Sequence, residues 1–133
     1  MRQVHMFLGK AGLFSSEFIF MSCGDFDGNH LLKEAKEKEF FVPNYFKRWI
    51  NIKKAFPIHK FDASKQPYDF TNMNTIHRCK PTVRGMPQML SQCGLELEGR
   101  HHSGIDDAKN LARVAINLME DGYQFTQGMV KVT

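Results

Sequence analysis

The chain has 133 residues, of which 42% are hydrophobic and 24% charged, with a formal net charge of +4 at pH 7. That is ordinary globular composition for one domain or part of one, and the basic balance is compatible with an anionic partner such as nucleic acid without requiring one. The opening MRQVHMFLGKAG has neither the apolar run of a secretory signal nor a membrane span, and Cys23, Cys79 and Cys93 form no CxxC pair, so the expectation is a soluble protein in a reducing intracellular compartment, away from membranes.

In chain order, residues 2 to 10 suit a short helix with Val4, Phe7 and Leu8 on one face, ended by Gly12. The aromatic-rich run EFIFMSC, 17 to 23, reads as a buried strand that stops at Gly24. A helix follows over about 29 to 39, with Leu31, Leu32 and Ala35 inward and its lysines and glutamates solvated. Pro43 and Asn44 make a turn, and WINI, 49 to 52, is a second strand. Residues 57 to 80 hold two prolines, many polar groups and no period, and read as a long loop. GMPQMLSQC, 85 to 93, suits a short helix with Gly94 just past its end. The clearest element is a helix from about 104 to 121, with Gly122 beyond it. No internal repeat is present, and the alternation of strand and helix predicts an α/β fold with parallel pairing.

The stretch HHSGIDDAKN, residues 101 to 110, places two histidines and two aspartates within seven positions. Ser103, three residues before Asp106, suggests a capping box in which Asp106 reaches back over the helix start. Leu111, Val114, Ala115 and Leu118 follow the helical i, i+3, i+4, i+7 spacing and face the core. Asp107 stands one turn before Leu111 on the same stripe and therefore points inward. An inward carboxylate is costly unless paired, hydrogen-bonded or bound to a metal. His102, just ahead of the cap, can lean over the same helix end. A purely structural account is also open, because helix N-termini favour acids and HHSG can be a plain polar turn. His101 or His102 combined with Cys79 and Cys93 fits no common zinc spacing.

GRHHSGIDDAKNLARVAINLMEDG resembles the third motif of the DEDDh 3′–5′ exonucleases, in the exoribonuclease branch that includes RNA-interference and histone-mRNA-processing nucleases. The order His, small residue, Gly, aliphatic, Asp, Asp, followed by Asn110, carries the likeness. MSCGDFDGNHL resembles the second motif, in which a strand ends in Gly-x-aromatic-Asp. YFKRWINIKKAF resembles the Trp-Ile-Asn segment of the same branch, and MPQMLSQCGLELEGR the helix and loop before the third motif. Residues 57 to 80 look longer than the usual connection, as an insertion.

The resemblance implies a ribonuclease-H-like sheet flanked by helices. It implies Asp27 as the second-motif acid, His102 as the catalytic histidine and Asp107 as the third-motif acid, with His101 at a position that tolerates other residues and Asp106 not a metal ligand. An N-cap for the following helix is the alternative reading of Asp27. The implied reaction is hydrolysis of a phosphodiester with two divalent ions, Mg²⁺ or Mn²⁺, held by four carboxylates while the histidine acts as general base. The implied partner is the 3′ end of single-stranded RNA, or of DNA.

Two of those four carboxylates belong to a first-motif Asp-x-Glu. Upstream of Asp27 the only acids are Glu17 and Asp25, in no such arrangement. The expectation is the C-terminal part of an exonuclease domain over residues 1 to 133: short parallel strands flanked by helices, the first strands absent, and no activity alone. The competing expectation is a non-catalytic RNA-binding or interaction module. In it Lys53, Lys54 and Lys60, interleaved with Phe56, His59 and Phe61, form a basic aromatic surface; a solvated loop with ordinary lysines is the plainer account of the same residues. A structural metal-binding domain built on the scattered Cys and His is a third, more remote reading.

Overall fold

The structure is a computed structural model that describes residues 1–68, 70 and 79–133. Strand β1, Phe20–Ser22, runs from the aromatic segment to Gly24. Helix α2, Phe26–Glu37, returns the chain to β2, Arg48–Asn51, after a turn of 3₁₀ helix at Asn44–Lys47. The two strands pair in parallel, with Phe20 opposite Trp49 and Ser22 opposite Asn51. Helix α1, Arg2–Lys10, precedes this unit, and the short α3, Ile52–Ala55, follows it directly. The C-terminal half contributes α4, Met86–Gln92, and α5, Gly104–Glu120.

A third strand, β3, Val130–Val132, was not expected from the sequence; it pairs antiparallel with β2, setting Ile50 opposite Val130. Three residues are too few for a period to emerge, and its register comes from the partner strand. The sheet order is β1-β2-β3, so β2 is central, and among the described residues the outer edge of β1 has no strand beside it.

Successive residues of β2 face opposite sides of the sheet. Trp49 is buried against α2, where Gly28 lies so close to the indole that a Cβ there would stand 2.6 Å from the ring. Ile50 faces the other way, into a cluster with Ala55, Met129 and Val130. The larger core brings Ile52 and Phe56 against Met86, Met89 and Leu90 of α4 and Val114 and Leu118 of α5. The inward stripe read from the sequence of α5 holds, with Val114, Ala115 and Leu118 buried, and Ala35 is the buried residue of α2. Helix α1 differs from its expected face: Leu8 is buried, while Val4 and Phe7 are exposed. The connection expected over 57 to 80 contains a 3₁₀ turn at Ile58–Lys60; residues 69 and 71–78 of it lie outside the described residues.

Two buried asparagines join these parts. Asn51, at the end of β2, accepts hydrogen bonds on Oδ1 from the Gly24 backbone N–H (3.1 Å) and the Lys53 backbone N–H (3.0 Å). It therefore ties the loop after β1 to the start of α3. Asn110, fully buried on α5, accepts from Glu98 N–H (3.2 Å) and donates to Glu98 C=O (2.9 Å). That pair of bonds holds the loop before α5, which carries His101 and His102, against the helix.

Candidate active site

A cleft of about 500 Å³ opens at the carboxyl ends of the parallel strands. Open α/β sheets characteristically bind ligands there. Its walls come from the end of β1 (Ser22, Cys23), the first turn of α2 (Asp27), Lys53, the approach to α4 (Arg84, Gly85) and the start of α5 (His102, Asp107). Residues as far apart in sequence as Met21 and Leu111 thus share one hollow.

The third-motif segment is built around Asp107. Its Oδ1 accepts the His102 backbone N–H at 3.1 Å, and the same oxygen lies 3.4 Å from His101 Nδ1. His102 sits in the left-handed region, at φ 69°, which is uncommon for any residue but glycine. With that twist the two imidazoles lie on the same side of the chain, their ring centres 3.9 Å apart. Ligand atoms of His101, His102 and Asp107 all come within 4.8 Å of one another. His101 is half-buried, and its Nδ1, shielded from solvent, makes no hydrogen bond.

The capping box expected at this helix does not form. Ser103 is the N-cap residue but makes no side-chain cap hydrogen bond. Asp106 turns instead to the preceding loop and accepts the Arg100 backbone N–H at 3.0 Å. Its carboxylate fills the space beside Gly99, whose φ of 73° and lack of a side chain permit the approach. Both aspartates thus accept backbone N–H groups of the loop ahead of the helix and tie that loop to its first turn.

Asp27 is in the first turn of α2, exposed and lining the same cleft, outside the group of His101, His102 and Asp107. The N-cap position is Asp25, two residues earlier, and its side chain makes no cap hydrogen bond. The fields of Asp27 and Asp107 meet at Cys23. Although that residue has solvent access, protein crowded around the sulfur pushes its thiol pKa up; Lys53 opposes the shift, and Asp107 and Asp27 add to it.

The two lysines singled out in the sequence part company. Lys53 lines the cleft beside Arg84. Lys54 turns away from it, with its side chain 13% exposed and its Nζ 3.4 Å from Asp25. Asp25 also accepts the Trp49 indole N–H at 2.9 Å and faces Lys131 at 3.5 Å. Burial alone would raise its pKa, but Trp49, Lys131, Lys54 and Asn51 together hold the carboxyl below its usual range. Phe56 is in the core and Lys60 lies over the Tyr123 ring, so the continuous basic aromatic surface expected around 53 to 61 is not formed. Arg84 was missed from sequence, and Asn110 was read only as part of the third-motif likeness, without its role as the loop's anchor. That role was findable by the helix-phase argument applied to Asp107, since a polar residue one turn along an inward stripe needs partners.

No protein-family model matches the chain. It is 33% identical to ERI1 exoribonuclease 3 of Homo sapiens over 130 residues, covering 96% of this chain and 33% of that protein. It is 33% identical to the 3′-5′ exonuclease Snipper of Drosophila melanogaster, over 80% of this chain and 32% of that one. With 3′-5′ exoribonuclease 1 of Rattus norvegicus it shares 30% identity, over 80% of this chain and 26% of that protein. The chain thus spans about a third or less of the length of these relatives. Its fold matches the nuclease domain of 3′hExo, a DEDDh family member solved with rAMP bound, with a TM-score of 0.68 at 22% identity. That match takes in 99% of this chain and 56% of the solved one.

Proposed function

Since this chain belongs to the DEDDh 3′–5′ exonucleases and carries the C-terminal part of their ribonuclease-H-like fold, we propose that it supplies Asp27, His102 and Asp107 to the 3′-terminal hydrolysis of single-stranded RNA. The observation that carries the reading is the convergence of these three residues and Lys53 on one cleft at the strand ends.

The two carboxylates offer hard oxygen ligands of the kind Mg²⁺ and Mn²⁺ take. When bound, divalent ions supply a lowered pKa for water and stabilise the leaving oxygen. Asp27 and Asp107 would hold them from this chain. His102 takes the proton of the attacking water, as an imidazole placed beside the metal-holding carboxylate can do as general base. Its backbone N–H bond to Asp107 keeps base and carboxylate in fixed register. Lys53 and Arg84, which line the same cleft, are placed to meet the phosphates of the strand. The three scattered cysteines suit an intracellular, reducing setting for this work.

Within these 133 residues the site holds two of the four carboxylates, and the proposal places the remaining pair on an Asp-x-Glu strand beside the open edge of β1. The test is degradation of 5′-labelled single-stranded RNA in Mg²⁺ or Mn²⁺. The 133-residue chain is expected to leave the RNA intact, and a longer chain that adds the Asp-x-Glu strand is expected to shorten it from the 3′ end. RNA shortening by the 133-residue chain, abolished by Asp107→Ala, overturns the need for the second pair; an inert longer chain overturns the reading itself.

A further inference from the structure

We propose that His101, His102 and Asp107 together bind one transition ion of the zinc class, through two imidazole nitrogens and a carboxylate oxygen. The inference adds His101 to the chemistry of the cleft and does not rest on the hydrolytic reading.

The first observation is spacing. Neighbouring ligands about 2.0–2.1 Å from a tetrahedral ion stand about 3.4 Å apart. His101 Nδ1 and Asp107 Oδ1 are 3.4 Å apart, without the alignment of a hydrogen bond. The separation fits two ligands converging on a shared point between them. The third donor, from His102, lies within 4.8 Å of both, so a modest rotation of one ring closes the set.

The second observation is the buried lone pair or N–H at His101 Nδ1, which has no hydrogen-bond partner. Buried polar atoms are satisfied as a rule, and one aimed at a carboxylate without bonding to it calls for an explanation. The third is the backbone of His102. Consecutive side chains on an extended segment point to opposite sides, and its left-handed φ of 69° instead leaves the two rings 3.9 Å apart. Such a strained conformation clusters at sites where a ligand makes use of it.

Donor chemistry selects the ion. Two imidazoles and one carboxylate suit Zn²⁺ and its first-row neighbours, whereas Mg²⁺ favours an all-oxygen shell. Three protein ligands also leave a position open for water. Where the hydrolytic reading holds, such an ion engages His102 and Asp107, two members of the hydrolytic set, and so acts as an inhibitor.

The test is titration of the 133-residue chain with Co²⁺ and Zn²⁺ in excess Mg²⁺. Co²⁺ is followed by its visible absorption and Zn²⁺ by competition with a chromophoric chelator, with circular dichroism as the check on folding. One ion per chain is expected. His101→Ala and His101→Gln should each weaken binding more than about tenfold, since even the loss of a partner behind a ligand costs about 10–100-fold. Cys23→Ser should leave affinity within about twofold of wild type, separating this set from one that uses the cleft's thiol. Wild-type affinity in both His101 variants, loss of binding in Cys23→Ser, or no binding under excess Mg²⁺ overturns the proposal. None of these readouts depends on RNA hydrolysis.

Discussion

Replacing Asn110 by Ala removes the fully buried side chain that holds the histidine-bearing loop against α5. Three hydrogen bonds go with it: two to the Glu98 backbone and one from Arg113 Nη1 at 2.9 Å. At about 1 kcal/mol net for each, the loss is about 3 kcal/mol. Glu98 is exposed, so water can partly replace Asn110 at its backbone groups, and the expected cost falls to about 2–3 kcal/mol. For a chain of this size that is a drop in Tm of roughly 10 °C. Asn110→Asp should be at least as costly, because the carboxylate cannot donate to the Glu98 carbonyl and sets an oxygen against it. Differential scanning calorimetry gives the stabilities, and amide exchange at His102 reports whether the loop opens with the bonds gone. A loss below about 1 kcal/mol for Asn110→Ala, with unchanged exchange at His102, would refute the assignment of Asn110 as the loop's anchor.

Gly28→Ala should destabilise by about 1–3 kcal/mol in urea unfolding, because the new methyl meets the Trp49 ring at 2.6 Å and α2 must shift; a neutral result contradicts that packing. Asp25 is held below its usual pKa in the folded chain, so its contribution to stability is full above about pH 4 and is lost as the pH falls further through the folded pKa. Asp25→Asn should therefore lower stability at neutral pH and flatten the acid limb of the stability curve, and an unchanged acid limb argues against the Trp49–Lys54–Lys131 cluster around it. Lys54→Ala should cost about 1–3 kcal/mol of stability with little change in RNA affinity, since its side chain and that of Asp25 are 13% and 19% exposed. Lys53→Ala should do the reverse, weakening RNA binding and reducing its salt slope by about one; equal behaviour of the two lysines in a filter-binding titration counts against their separation.

The elements with a sustained period were legible before any coordinates. Helix α5 spans 17 residues, and its stripe places Asp107 correctly on the cleft side. The strands expected at 17 to 23 and 49 to 52 were found as short aromatic and β-branched runs, with Phe20–Ser22 and Arg48–Asn51 the paired residues and Ile52 opening α3 instead. What stayed hidden depends on partners distant in sequence. β3 is defined by its pairing to β2, and Lys54 was misplaced because Asp25, its partner, is 29 residues away. The capping box failed for a related reason: the Asp106 carboxylate that would reach back to Ser103 N–H is taken by the Arg100 N–H of the loop. The contribution of His101 rests on the left-handed turn at His102, which no residue in HHSG announces.

The claim at the centre is that Asp27, His102 and Asp107 act as one hydrolytic unit. The direct measurement is the single-turnover rate of 3′ nucleotide release from single-stranded RNA by the longer chain, comparing Asp27→Asn, His102→Ala and Asp107→Asn, each confirmed folded. Loss of any member should lower the rate by about 10²–10⁴, the range of a positioned acid–base group, and a double variant should fall little further than the worse single one. A single variant that keeps its rate within about twofold of wild type, or losses that multiply in the double variant as independent effects would, contradicts the account.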